Sequence, residues 1–507
     1  MKALKGLLIY IGIVLGIVVG IGLILFCIMY FVPSFRIFGV GVVHYNKTVD
    51  TETIALTQYS NYDDIVININ SNKININVVP TEEKDISYDL DLQIFGFSNE
   101  IIEYQVIQKA EVKDRVLQIY LNLTEPRGWI STSNSNVTVS VPYSLPIGLV
   151  TNTTSGAVAV GSTSLGLDIK SLSISTEKGD VNLVGIGENG SESETSLTLE
   201  SLNLTTKKGE FDFSNITNLI VKDKVKLIAE NGEFNFKNLY ASVEVTGDGI
   251  EFKADKIECG ADGFSFIVKD GQIDIDILTL EYIDVTSTYI SAEHTIIAEN
   301  ISIDINEIIG KTAIVTSHGD VEIEKLNNYT LIENDNGNVN IAYAKDNIII
   351  KTYFGDINVD EYFACAEFSS HKGNINVNSK GDYVSNVYTK ITNIDGNVII
   401  GNKVNQLLLE TTGKSNVKIT FYEVHSGDRF QHLIKTSREH GSCDVYLPTV
   451  NVPCFKFKAT GIISGDYSAS NTFQYSPSDA SIEEKQDADK NAFFEFDGRI
   501  KLIKHLL

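Results

Sequence analysis

The chain has 507 residues, 43% of them hydrophobic, and a formal net charge of −25 at pH 7. This apolar content suffices for a buried core, and the length allows several domains. The acidic balance argues against nucleic acid as a partner, because binding to phosphate needs a basic face.

The first element is an uncharged apolar run over residues 7–32, preceded by Lys2 and Lys5. A helix of this length can cross a hydrocarbon core of about 30 Å. The two lysines favour a cytoplasmic N-terminus and a body that is extracellular or periplasmic. We therefore predict a cytoplasmic tip and a single-pass transmembrane helix in residues 1–33. The alternative is a cleaved signal peptide, but the run is long for one and no small-residue cleavage site follows it.

Three glycines, Gly12, Gly16 and Gly20, recur every four residues within this run. Small residues at that spacing let two membrane helices approach closely. They favour self-association of the helix into a homodimer. The alternative is that glycine is simply common in membrane helices.

Two segments separate this helix from the regular part of the chain. Residues 34–60 form a connection, and residues 61–150 are rich in apolar runs and contain the only tryptophan, Trp129. A stack of β-repeats must cover its first strands, because open strand edges pair with other chains. We therefore interpret residues 61–150 as an N-terminal β-rich cap.

Residues 151–420 contain a repeat whose clearest copies are eighteen residues apart. Its glycines are Gly319, Gly337, Gly355 and Gly373. The polar residues that follow them are Asp320, Asn338, Asp356 and Asn374. Aliphatic and polar residues then alternate, which predicts a strand with one buried face after a sharp turn. Such a unit cannot bury its own apolar face, and it is too short for a strand–helix–strand crossover.

The repeat predicts an all-β fold, in which a single N-terminal transmembrane helix is followed by a parallel β-solenoid (β-helix) with irregular caps. Coils stacked about 4.8 Å apart would align the four polar residues after the glycines into an outward polar ladder. A meander of antiparallel hairpins is the alternative, although hairpins do not require a constant period. Fainter copies of the repeat extend the array in both directions.

The C-terminal part is less regular. We expect an irregular β segment over residues 421–475, a flexible acidic loop over residues 476–491, and either a terminal hairpin or a last coil over residues 492–507. Cys443 and Cys454 in the first of these segments could pair outside the cell. We favour two buried thiols.

Four short segments carry a resemblance to a known family: residues 137–146, 153–156 (Thr-Thr-Ser-Gly), 175–181 and 316–321. With the N-terminal helix, they resemble a family of bacterial single-span membrane proteins whose β-solenoid domain is named "putative adhesin". The resemblance covers about residues 60–475 of this sequence. Its name implies attachment to surfaces.

Catalytic and metal-binding patterns are weak. Carboxylates and amides of the polar ladder could bind Ca²⁺, but stacked Asn and outward Asp also serve a solenoid structurally. The residues His425, Asp428, His432, His440 and Cys443 lie close together and match no zinc spacing. We therefore expect no catalytic site, metal or cofactor.

The function we expect is that of a membrane-anchored surface module that binds or scaffolds in an adhesin-like way. Its partner would be a cell-envelope glycan or a surface protein. One alternative is a self-assembling scaffold resembling bactofilin-type solenoids that stack end to end. Another is a β-helix enzyme that cleaves polysaccharides.

Overall fold

The computed structural model describes residues 2–32, 41–98, 105–124, 130–133, 135–162, 165–184, 186–187, 195–260, 262–280, 294–380, 387–403, 405–421, 431–436, 441–448, 454–459, 462–465 and 491–505. By its internal contacts, the chain divides into two compact units, Met1–Lys222 and Asp223–Leu507.

The described residues form one α-helix, α1 (Lys2–Phe31), a short 3₁₀ helix (Leu56–Gln58) and 36 strands. In chain order the strands are β1 (Gly41–Ile54), β2 (Asp64–Ser71), β3 (Asn75–Thr81), β4 (Ile86–Ser98), β5 (Gln105–Lys113), β6 (Val116–Thr124), β7 (Ile130–Ser133), β8 (Asn136–Pro142), β9 (Ile147–Thr153), β10 (Val158–Gly161), β11 (Ile169–Thr176), β12 (Val181–Val184), β13 (Ile186–Gly187), β14 (Thr195–Leu199), β15 (Ser201–Asp212), β16 (Asn218–Cys259), β17 (Phe264–Leu280), β18 (His294–Ile309), β19 (Thr312–His318), β20 (Val321–Leu326), β21 (Thr330–Asn336), β22 (Val339–Ala344), β23 (Ile348–Phe354), β24 (Ile357–Tyr362), β25 (Ala366–Lys372), β26 (Ile375–Ser379), β27 (Tyr388–Asp395), β28 (Val398–Lys403), β29 (Gln406–Thr411), β30 (Val417–Phe421), β31 (Gln431–Lys435), β32 (Cys443–Pro448), β33 (Cys454–Ala459), β34 (Ile462–Gly465), β35 (Asn491–Asp497) and β36 (Arg499–His505).

Helix α1 coincides with the uncharged apolar run of the sequence. It ends at Phe31, two residues before Pro33, and proline cannot continue a helix. Several large apolar side chains of α1, Leu15 and Val18 among them, are exposed. Within the part of the chain that the structure describes, no helical segment has both the length and the apolar character that crossing a membrane requires.

The first unit contains parallel coils that stack out of chain order. β2 pairs in parallel with β9, β9 with β11, and β11 with β15. On its other side, β2 pairs with β6, and β3 likewise pairs with β8. The coil of β6 and β8 therefore lies outside the coil of β2 and β3, although it comes later in the sequence.

Antiparallel strands cover this outer coil. β4 pairs with β1, β7 and β8, and β5 pairs with β6. These strands take up edge hydrogen bonds that another chain could otherwise use. Parallel stacking thus begins at Asp64, inside residues 61–150, which the sequence analysis interpreted as an N-terminal β-rich cap. The sequence pattern does not show this pairing, because Ile147, the partner of Ile65, lies 82 residues further along the chain.

The second unit contains the regular coils, each with two strands. Its first strands stack in parallel from β19 through β21, β23, β25, β27 and β29 to β31, and its second strands from β20 through β22, β24, β26, β28 and β30 to β32. Ile314 pairs with Ile332, and Val321 pairs with Val339, each an offset of eighteen residues. This parallel register confirms coils and excludes hairpins for this region.

The core of these coils is a set of aliphatic columns. Val321, Val339, Ile357 and Ile375 are fully buried, as are Ile314, Ile332 and Ile350. Alternate residues point outward, as the period-two pattern predicts. Burial of side chains of this size contributes about 1.5–3 kcal/mol each, and every coil depends on its neighbours for that burial.

The C-terminal coils also stack out of chain order. β35 pairs in parallel with both β31 and β33, and β36 with both β32 and β34. The coil of β35 and β36 therefore lies between the two that precede it in the sequence. Residues 491–505 therefore form a coil and not a hairpin, and this coil is the last in the sequence but not the last in the stack. The acidic loop predicted over residues 476–491 lies outside the described residues, apart from Asn491.

Candidate functional site

The turn at the repeat glycines positions the polar residues that follow it directly. A Cβ added at Gly337 would lie 2.0 Å from the Gly319 carbonyl oxygen, and one at Gly355 would lie 1.9 Å from the Gly337 carbonyl oxygen. Gly319 and Gly337 also have φ of +115° and +147°, which other residues rarely adopt. The glycines thus form a column in which backbone touches backbone.

Polar side chains at buried positions hold the inner side of this turn. They lie three residues before each glycine and are Thr316, Asn334, Thr352, Ser370 and Asn393. Thr352 Oγ1 donates to the Gly355 carbonyl oxygen at 2.9 Å, and Asn334 Nδ2 donates to that of Gly319 at 2.8 Å. We did not predict this role from the sequence, although the Thr-x-x-Gly spacing at Thr153 and Thr316 indicates it.

The residues of the outward polar ladder, which follow the glycines directly, form hydrogen bonds between successive coils. Asp320 Oδ1 accepts a hydrogen bond from the backbone N–H of Asn338 at 2.7 Å, and Asn338 Oδ1 accepts one from that of Asp356 at 3.1 Å. Asp356 Oδ1 then accepts from the Asn374 N–H at 2.7 Å. Each side chain therefore satisfies the backbone of the next coil, which is a structural role.

A second set of outward groups forms ion pairs between successive coils. Lys325 Nζ lies 2.6 Å from Glu307 Oε1, and Lys351 Nζ lies 2.7 Å from Glu333 Oε1. The hydrogen bond from Lys325 lowers the pKa of the Glu307 carboxyl. Because these pairs are exposed, each is worth at most about 1 kcal/mol.

A run of carboxylates faces outward on the preceding coils. Asp274 pairs in register with Asp304, and Asp304 pairs with Glu322. Partial burial, followed by the charges of Asp304 and Asp276, raises the pKa of the Asp274 carboxyl. Among the described residues, no group of His, Cys, Asp and Glu could hold a metal ion.

The most distinctive outward feature is an aromatic patch, which we define as Tyr353, Phe354, His371 and Lys372. Tyr353 and Phe354 are each 46% exposed, and their ring centroids lie 4.5 Å apart at an angle of 72°. The His371 ring stacks on Tyr353 with centroids 4.3 Å apart and planes 6° from parallel. Lys372 Nζ lies over the Phe354 ring, 5.3 Å from its centroid.

The equivalent positions on earlier coils are polar. Register pairs Phe354 with Asn336, and Asn336 with His318. At the position of Tyr353, the two preceding coils have Asp335 and Ser317. The aromatic pair therefore departs from a polar surface, and sequence reasoning missed it because Tyr and Phe are ordinary residues in a strand.

The remaining candidate residues are dispersed. An added Cβ at Gly16 or Gly20 would meet no atom within 4 Å, and the surroundings of Gly12 are not described. His432 is buried against Phe421, with ring centroids 5.0 Å apart, while His425, Asp428 and His440 lie outside the described residues.

Two of the described cysteines are buried in the coils. Cys443 is a buried, unbonded thiol, and burial raises the pKa of this group. Cys259 is likewise buried, and burial raises the pKa of its thiol. The free thiol of Cys443 agrees with the favoured prediction of buried thiols for this residue, while the side chain of Cys454 lies outside the described residues.

The stacked parallel coils with their glycine turns lie in a region that matches a known protein family. The family model described as Toastrack DUF4097 matches residues 62–400. The chain belongs to the Toastrack DUF4097 family. The match begins close to Asp64, where parallel stacking starts, and it includes the four repeat glycines. The family resemblance inferred from the sequence is thereby confirmed.

Two solved structures are similar to this Toastrack chain. One is described as a "putative cell adhesion protein" from Clostridium sporogenes ATCC 15579, with 9% identity, coverage of 91% of this chain and 100% of that chain, and a TM-score of 0.16. The other is described as a "putative adhesin" from Bacteroides fragilis NCTC 9343, with 14% identity, coverage of 68% and 97%, and a TM-score of 0.13. Scores this low support no functional inference. No curated protein matches the chain.

Proposed function

We propose that this Toastrack protein is a membrane-anchored surface module that binds a partner through the outer face of its coils, in an adhesin-like way. The observation that supports binding is the aromatic patch. Two large aromatic side chains point outward beside each other, whereas the equivalent positions on the two preceding coils are polar. Exposed apolar groups bounded by polar ones are typical of interaction sites.

The contacts of the polar ladder do not favour a catalytic function for its carboxylates. The carboxylates of Asp320 and Asp356 accept backbone hydrogen bonds from the next coil. A carboxylate used in this way is poorly placed to transfer protons to a substrate. An end-to-end scaffold is also less well supported, because antiparallel β4 and β5 occupy the outer coil of the first unit.

Adhesion can be tested with the full-length chain on the surface of a host cell. We expect cells that express it to be retained on isolated cell walls or on protein-coated surfaces, and the Tyr353→Ala/Phe354→Ala variant to lose that retention. Tyr143→Ala is the matched control, since Tyr143 is a similarly exposed aromatic residue remote in sequence from the patch. Equal retention of expressing and non-expressing cells would contradict the proposal.

The proposed anchor is α1, with its N-terminus in the cytoplasm and the coils extracellular or periplasmic. The exposed apolar side chains of Leu15 and Val18 support this, since water is an unfavourable surrounding for them. After carbonate extraction, we expect the full chain in the membrane pellet and Leu15→Lys/Val18→Lys in the supernatant, because each charge at mid-span costs about 2.5–3.5 kcal/mol. Val315→Lys, at an exposed coil position, should stay in the pellet. A wild-type chain in the supernatant would contradict anchoring.

Self-association through α1 is part of the same proposal. Gly16 and Gly20 can take larger side chains within one chain, because an added Cβ meets nothing within 4 Å. Gly16→Ile/Gly20→Ile should therefore reduce chemical crosslinking of dimers without affecting the coils. Gly22→Ile is the control, since Gly22 has equally open surroundings but lies off the four-residue stripe. Unchanged crosslinking in the double variant would argue against this interface.

A further inference from the structure

The aromatic patch has unused capacity for hydrogen bonds of both kinds. The Tyr353 hydroxyl and the Asp335 carboxylate have no hydrogen-bond or ion-pair partner among the residues that the structure describes. Lys372 has its contact with the Phe354 ring and no ion pair with any described residue. Next to the two exposed rings, Lys372 can therefore donate a hydrogen bond, Asp335 can accept one, and the Tyr353 hydroxyl can do either.

The size of the apolar surface limits what could bind there. Two residues before Tyr353 the same strand carries Lys351, which is paired with Glu333, so the apolar surface ends at an ion pair. A stable protein interface buries about 800 Å² per partner and needs an apolar centre. Two rings edged by charged side chains fall well short of that area, and they suit one small ring better than a protein surface.

The charge of the patch also limits its partner. Asp335 and Lys372 contribute one negative and one positive charge on coils to either side of the Tyr353–Phe354 coil. The patch is therefore nearly balanced, on a chain with a formal net charge of −25. Polyanionic ligands would be repelled by the chain as a whole, whereas a neutral ligand would not.

From these observations, we infer that the aromatic patch is a binding subsite for a neutral hexopyranose unit of a glycan. The C–H face of the sugar packs on the exposed parts of Tyr353 and Phe354, since aromatic faces are negative and C–H bonds are weakly positive. One face of Tyr353 is already stacked on His371, and Lys372 lies over Phe354, so the sugar uses the open sides of the two rings. The sugar hydroxyls donate to Asp335 and accept from Lys372 and the Tyr353 hydroxyl. This inference rests on the proposed binding function and specifies its ligand class.

Titration of the purified full-length chain in detergent with neutral hexose oligomers tests the subsite. The probes are soluble cello- and malto-oligosaccharides, followed by calorimetry and by saturation transfer from the protein to the sugar protons. We expect one of the two series to bind, and Tyr353→Ala/Phe354→Ala to weaken binding about tenfold or more, because the rings supply the central contact. Asp335→Ala should weaken it less, and Ile399→Ala, an exposed apolar residue outside the patch, should not weaken it.

Several outcomes would overturn the inference. They are the absence of binding by either neutral series, equal binding by the ring variant, and binding only of anionic oligosaccharides. Thermal unfolding of each variant shows whether the coils remain folded, and Tyr353→Leu/Phe354→Leu keeps the apolar bulk while removing the aromatic faces. If cells that express the chain still adhere to protein-coated surfaces while no glycan binds, the proposed function survives and the subsite does not.

Discussion

Gly355 has almost no space for a side chain, because the Gly337 carbonyl oxygen would lie 1.9 Å from its Cβ. The clash is with backbone, which can move only if the coils separate. At Gly260, by contrast, the one atom near an added Cβ is the Ser242 hydroxyl oxygen at 3.1 Å, which belongs to a side chain and not to the backbone.

Gly355→Ala should therefore destabilise the chain by about 2–4 kcal/mol, a cost typical of backbone strain and disrupted packing. Gly260→Ala should change the free energy of unfolding by less than about 1 kcal/mol. Urea denaturation followed by circular dichroism measures both. Equal effects of the two variants would show that the glycine column is not set by contacts between backbones.

The Asp274 carboxyl makes the stability of the folded chain depend on pH. Its pKa is raised above the ordinary value by partial burial and by Asp304 and Asp276, so the folded chain holds the proton more tightly than the unfolded chain. Stability is consequently lost as the pH rises above the ordinary pKa of an aspartate.

Asp274→Asn removes that unfavourable charge. We expect it to raise the melting temperature by about 1–3 °C near pH 7, a small change because the group is exposed and screened, and to leave it unchanged near pH 3. Asp248→Asn, another exposed aspartate of the same unit, is the control. A higher melting temperature at both pH values would indicate a cause other than charge.

At the scale of one element, the outward polar ladder joins each coil to the next. Asp356 connects backward through its own N–H to Asn338 and forward through its carboxylate to Asn374. An amide oxygen serves equally well as acceptor, since Asn338 and Asn374 occupy the same position on neighbouring coils.

Asp356→Asn should therefore leave the stability within about 0.5 kcal/mol of the wild type, while Asp356→Ala should cost about 1 kcal/mol by leaving the Asn374 N–H without its acceptor. Differential scanning calorimetry of the two variants compares them directly. A loss of stability in the Asn variant as large as in the Ala variant would mean that charge, and not hydrogen bonding, holds the ladder.

The sequence predicted these coils well because their information is local. The eighteen-residue spacing of Gly337 and Gly355 predicts the turns. The alternation of aliphatic and polar residues after each glycine predicts the strand and its buried face. The coil of β6 and β8 could not be predicted in this way, since it stacks on β2 and β3 from outside and against chain order. The aromatic patch was also missed, because only register shows that Tyr353 and His371 lie on each other.

At the scale of the whole chain, each coil of the regular region can be exchanged for its neighbour. Residues 338–355 make one complete coil, and removing them joins Gly337 directly to Asp356. The column of glycines, the polar ladder and the buried aliphatic columns all remain in register across that join.

A chain lacking residues 338–355 should therefore fold and show cooperative unfolding, with a somewhat lower stability because one coil of core is lost. A chain lacking residues 338–346 should fail to fold normally, because half a coil puts the next strand on the wrong face. Far-UV circular dichroism and thermal melts of the two deletions provide the comparison. Similar behaviour of both chains would contradict a coil-by-coil architecture.

The alternation of acid and amide along the outward polar ladder also keeps like charges apart. Asp320 and Asp356 are two coils apart, about 10 Å, which is close to the distance over which physiological salt screens charge. An aspartate at position 338 would insert a third carboxylate between them, about 5 Å from each. The amide of Asn338 accepts the same backbone hydrogen bond without adding that repulsion.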